Sequence, residues 1–137
     1  MKYSKLSNKW YLFRSKAIEA FRAVFAWRHS WVFFGINLFL VTCLVVGSFE
    51  IFSNFKEDIL VLHYNIDFGV DWIGSKSLIF WLAETGAALF LLDLLVLLLV
   101  FKNRRFRFLS FFIWGGVTAC ELFLLAALFS VYLVNFR

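Results

Sequence analysis

Four acids and one amide stand inside long apolar runs of this 137-residue chain: Glu50, Glu84, Asp93 and Glu121, with Asn37. A carboxylate in the middle of a bilayer costs about 2.5–3.5 kcal/mol on insertion scales, so such residues face a bundle interior, a partner or an ion path. No Lys or Arg shares these runs, so ion pairing within the spans is not expected. The available chemistry is hydrogen bonding between helices or movement of a proton or cation, and the residues leave both readings open. A second set lies between two runs, in LHYNIDFGVDWIG at 62–74. His63, Asp67 and Asp71 follow at i, i+4 and i+8, a helical spacing for metal ligands, but Gly69 and the β-branched Ile66 and Val70 disfavour a helix there. No metal site is expected, because one His and two Asp in a loop are ordinarily solvated or bonded to nearby backbone.

The elements that position these residues follow from composition. The chain is 63% hydrophobic, with 20 Phe, 6 Trp and no Pro, well beyond a soluble domain of this length. The excess falls in runs long enough to span a bilayer. The expected fold is an all-α membrane protein with an N-terminal amphipathic segment and three transmembrane helices, N-terminus in and C-terminus out. The expected order is a basic cytoplasmic segment (1–30), a first span (31–52), an extracytoplasmic loop (53–77), a second span (78–101), a cytoplasmic turn (102–107) and a third span (108–134). The first span resembles a signal peptide in position only; its apolar stretch is too long and lacks a small-residue cleavage site, so it reads as an uncleaved anchor.

Charge sets the orientation. The 1–30 segment and the 102–107 turn carry eleven Lys and Arg, whereas the 53–77 loop carries two. The positive-inside rule therefore puts both basic stretches in the cytoplasm. Trp31, Trp72, Trp81 and Tyr132 fall near the expected interfaces. In the first segment Trp10, Phe13, Ala17, Phe21 and Val24 recur at roughly helical spacing. That pattern suits a helix lying on an anionic membrane surface, where each basic residue contributes about 1 kcal/mol. Lipid is the nearer polyanion, and no nucleic acid partner is expected.

Counting along the helices predicts two polar layers. Asn37 and Asp93 lie roughly 9–12 Å from the cytoplasmic edge, Glu121 roughly 20 Å and Glu84 roughly 25 Å, at 1.5 Å per residue. The expectation is an inner Asn37–Asp93 layer and an outer Glu84–Glu121 layer, each hydrogen-bonded across helices. Glu84 and Asp93 are nine residues apart, which puts them on opposite faces of the second span. In the third span Gly115, Ala119, Ala126 and Ser130 form a stripe of small residues of the kind that lets helices approach closely. Glu121 lies away from the stripe, beside Trp114, Thr118 and Leu125. Three helices cannot easily satisfy all these faces, so a homo-oligomer or a larger membrane complex is expected.

The loop alternates. Leu62, Tyr64, Ile66, Phe68, Val70 and Trp72 are apolar or aromatic, and His63, Asn65, Asp67, Gly69 and Asp71 separate them. Period-two patterning fits an extended segment with one apolar face. Its backbone must find water, another part of the chain or a partner's strand. His63, Tyr64, Asn65, Asp67, Phe68, Asp71 and Trp72 are therefore the candidate outer-loop contacts. The stretch HYNIDFGVDWIG also resembles the HYNIYFG-x-D-x-IG-like loop of small polytopic membrane proteins of candidate-phylum bacteria. It departs from that pattern at Asp67 and Trp72. The resemblance covers about a dozen residues and implies a bacterial inner-membrane setting, with no activity attached.

No catalytic motif is present: the chain has no GxSxG, HExxH, P-loop or GxGxxG. His29 and His63 fall on opposite sides of the expected membrane. Cys43 and Cys120 both lie in apolar runs and form no CxxC. No enzyme activity and no cofactor are expected. The favoured reading is an assembly or accessory subunit that binds a partner through its outer loop and the faces of spans two and three. The alternative is an oligomeric proton- or cation-coupled carrier built on Glu84, Asp93 and Glu121.

Overall fold

A computed structural model describes residues 2–65 and 69–136, and their side chains except those of 2–9, 64, 65 and 71. The order of elements is α1 (Lys2–Val24), α2 (Arg28–Asn54), β1 (Ile59–Asn65), β2 (Gly69–Ser75), a 3₁₀ turn (Lys76–Ile79), α3 (Phe80–Val100) and α4 (Phe106–Phe136). Three helical segments, Arg28–Asn54, Lys76–Val100 and Phe106–Phe136, are long and apolar enough to cross a membrane. They begin and end a few residues from the expected bounds. α2 and α4 are longer at both ends, and the second span opens with the 3₁₀ turn.

α2, α3 and α4 pack as an up-down-up bundle, with α1 joining beside α3. Two glycines mark where the helices close on one another. A Cβ on Gly86 of α3 would stand 2.6 Å from Leu44 of α2 and 3.7 Å from Leu124 of α4. A Cβ on Gly47 of α2 would stand 2.7 Å from Leu128 of α4. With no hydrophobic drive between helices in lipid, this close approach supplies the van der Waals contact that holds them. Buried side chains form two apolar clusters. One, at the hairpin end, is built on Leu44, Ile51, Leu60, Ile79, Ala83, Leu128 and Val131; the other, at the turn end, is built on Val24, Phe90, Leu97, Phe106 and Trp114. The outer faces of the helices remain covered in Phe, Leu and Val, among them Phe39, Leu99 and Phe123, as lipid-facing surfaces are.

The 53–77 segment is more ordered than a loop. Its two strands pair antiparallel with each other, Ile59 opposite Ser75 and Asn65 opposite Gly69, with irregularities around His63. The extended segment thus finds its backbone partners within the chain. Gly69 enters β2 at φ 78°, a left-handed conformation that costs a residue with a Cβ about 1–2 kcal/mol. An isolated two-stranded hairpin is marginal in water, and this one is tied down. Asn135, near the end of α4, accepts the Val61 N–H at 2.9 Å and donates to the Val61 carbonyl at 2.8 Å. Its amide pairs with β1 as a neighbouring strand would. At the hairpin's base the Lys76 N–H donates to the Asp58 carbonyl at 3.0 Å. The Lys76 ammonium lies 3.4 Å from the Asp58 carboxylate and over the Phe52 ring.

Candidate functional site

The bundle interior holds a polar stratum to which each of the three long helices contributes. Its level can be fixed from the Gly86 contact, which aligns Gly86, Leu44 and Leu124. From there toward the 101–105 turn, Asp93 and Asn37 lie about 10 Å along their helices, Thr118 about 9 Å and Glu121 about 4.5 Å, at 1.5 Å per residue. Helical side chains tilt toward their own N-termini. α3 runs opposite to α2 and α4, so Asp93 leans back toward the Gly86 level while Glu121 leans toward the turn. The two carboxyls converge from above and below.

Burial is near complete. Asn37, Trp114 and Glu121 are 0% exposed and Asp93 is 4% exposed. The Thr118 hydroxyl donates to Asn37 Oδ1 at 2.8 Å and contacts the Trp114 carbonyl at 2.9 Å. The Trp114 ring packs between Phe34 and Phe90. Yet Asn37 Nδ2, Trp114 Nε1, Asp93 Oδ2 and both Glu121 carboxyl oxygens find no hydrogen-bond partner among the described residues. A buried polar atom left unpaired costs about 1–3 kcal/mol, so together these five would cost on the order of 5–15 kcal/mol, as much as the whole stability of an ordinary domain.

The expected layers are thus rearranged. Asn37 and Asp93 do share a level, but Asn37 bonds Thr118 rather than Asp93. Glu84 takes no part: it lies exposed on the outer face of α3, and the acid buried in the bundle with Glu121 is Asp93. A 100° step separates Glu84 from Asp93 correctly but does not say which of the two faces in. Glu50 is also exposed, and its carboxylate accepts from Asn54 Nδ2 at 2.6 Å.

The small-residue stripe of α4 faces out of the bundle. Ala119, Ala126 and Ser130 are exposed, and a Cβ on Gly115 would meet nothing within 4 Å. α4 buries its other side, through Ser110, Trp114, Glu121, Leu128 and Val131.

At the hairpin end, a cavity of about 600 Å³ opens beneath the strands. Leu62, His63 and Trp72 roof it, Trp81 and Thr85 of α3 form one wall, and Ala127 and Ser130 of α4 form the other. Of the outer-loop candidates, His63 and Trp72 are exposed and sit opposite one another in the hairpin. Asp67 and Phe68 lie outside the described residues, as do the side chains of Tyr64, Asn65 and Asp71. Among the described residues no three His, Cys, Asp or Glu side chains gather as a metal site would require.

Three positions that matter here are not among the candidate site residues read from sequence: Thr118, Trp114 and Asn135. Thr118 and Trp114 lie three and seven residues before Glu121, a helical spacing that groups them with the acid but does not mark them as its polar neighbours in a buried stratum. Asn135 left a fainter signal, a lone amide after a long apolar run. Compared with protein-family models, with curated proteins and with solved structures, the chain matches none.

Proposed function

We propose that the chain is an assembly or accessory subunit of a bacterial inner membrane, with its N-terminus and the 102–107 turn in the cytoplasm and the hairpin outside. The observation that carries this reading is the outward face of α4. Gly115, Ala119, Ala126 and Ser130 form a shallow, lipid-exposed track on a helix whose opposite face is already buried. Small residues in spans serve close helix–helix contact, and the track is free to receive a helix from outside the bundle. Glu84, exposed on α3, supplies a hydrogen-bonding group for such a partner. The exposed apolar residues of α1, including Trp10, Phe13 and Phe21, support its placement on an anionic lipid surface.

The test is native mass spectrometry of the protein in a mild detergent, with Ala119→Leu/Ala126→Leu and Trp72→Ala as variants. A reproducible second protein, lost when the track is filled with leucine, is the expected result. A strictly monomeric species, or a complex indifferent to all three changes, refutes the reading.

A second reading, an oligomeric proton- or cation-coupled carrier, is favoured by the burial of both Asp93 and Glu121 in the bundle interior. A homo-oligomer with no second protein would favour it. Transport lost in Glu121→Gln with assembly retained is then the expected behaviour.

A further inference from the structure

We infer that the Asp93–Glu121 stratum is a hydrated proton-binding site: it takes water together with an exchangeable proton held by the carboxyl pair. The inference concerns what is bound, and it stands whether or not the chain moves ions.

The argument rests on the kind of atoms left unpaired. Two are donors, Asn37 Nδ2 and Trp114 Nε1, and three are acceptors, Asp93 Oδ2 and the two oxygens of Glu121. All belong to side chains at least nine-tenths buried. The donors and acceptors share one stretch of the bundle but do not reach each other. The ligand must therefore be small and must both donate and accept. Water does both, and a buried water is stable with two to four polar partners. A metal cation would satisfy the three oxygens and be repelled by the indole and amide N–H groups. A sodium ion is accordingly the wrong occupant.

The proton follows from the charges that face the pair. The buried face of α2 carries Ser30, Asn37 and Ser48; its half-buried ionisable groups are the Cys43 thiol and His29, which bonds Ser110 of α4 at 3.0 Å, about 12 Å along the helix from Asn37. α1 reaches the bundle through Ala20 and Val24. On α3 and α4 the only ionisable residues on the buried faces are Asp93 and Glu121 themselves. With no Lys or Arg beside them among the described residues, two carboxylates would repel each other across a medium of low dielectric. A proton on the pair removes that repulsion. It also turns one carboxyl oxygen into a donor for the bridging water. Uptake converts a carboxylate to the acid and release reverses it, through water, with no other group changed.

The test is solid-state NMR on the full chain in lipid bilayers. Carboxyl ¹³C shifts of Asp93 and Glu121 are followed against pH, and water-edited spectra probe the Trp114 indole and Asn37 amide. The expected result is transfer from water to both N–H groups, with the two carboxyls titrating in linked steps that reduce to one in Glu121→Gln. Thr118→Val should disturb Asn37 while leaving the linked titration in place. Absence of water transfer, with both carboxyls unchanged across the pH range, overturns the proposal in favour of dry packing. Carboxyl shifts that follow sodium concentration at fixed pH overturn it in favour of a cation site.

Discussion

Replacing Asn135 by Ala should free the hairpin from the bundle. The Asn135 amide makes two hydrogen bonds to the backbone of Val61, at 2.9 and 2.8 Å. A third, to the Val131 carbonyl, stays within α4. At about 1 kcal/mol net for each intramolecular hydrogen bond, losing the two that cross to β1 weakens docking by about 2 kcal/mol. That corresponds to roughly a 30-fold rise in the population of the open hairpin. Hydrogen–deuterium exchange in nanodiscs reads this directly: amides of 59–65 should exchange roughly 30-fold faster, since local opening sets their rate. The spans should be unaffected. Asn135→Asp keeps the acceptor for the Val61 N–H and loses the donor, so its effect should be intermediate. Ser130→Ala, which removes only a bond inside α4, is the control and should change nothing in the hairpin. Unchanged exchange at 59–65 in Asn135→Ala would refute the clamp. So would equal acceleration in α2 and α3, which would mean general loosening of the bundle.

Two further substitutions probe the backbone and the packing. Gly69→Ala should weaken the hairpin by about 1–2 kcal/mol because of the positive φ, and Gly69→Asn by less; faster exchange in 69–75 with quiet spans is the expected pattern. Gly86→Ala should destabilise the bundle by about 1–3 kcal/mol through overpacking against Leu44, seen as a lower midpoint in detergent unfolding, and Gly86→Leu should be worse. A Gly86→Ala midpoint at or above that of the parent chain would show that Leu44 yields freely.

The spans were readable because lipid demands unbroken apolar runs with satisfied backbones, and the runs ending near Asn54, Val100 and Phe136 meet that demand. Which way each helix faces was much less readable. Lipid and bundle interior are both apolar, so α3, hydrophobic all round, carries no stripe to follow. Glu84 and Asp93 show the consequence: their opposition is a matter of helix geometry, but the choice of inner face is made by Gly86 fitting against Leu44 and Leu124. The alternation at 62–72 signalled extended structure. Its pairing partner depended on Gly69, which enters β2 at a positive φ, and on Asn135, an amide distant in sequence whose role no local pattern carries.

The Asn135 clamp also has a bearing on how the molecule is made. Val61 and Asn135 are 74 positions apart. At a synthesis rate of about 5–20 residues per second, β1 leaves the ribosome about 4–15 s before its anchor exists. During that interval the strand pair is undocked, with an open edge on β1. Synthesis of α4 then brings Asn135 onto Val61 and covers the edge there, so α4 also ends the period in which that part of β1 is open to strand-pairing errors.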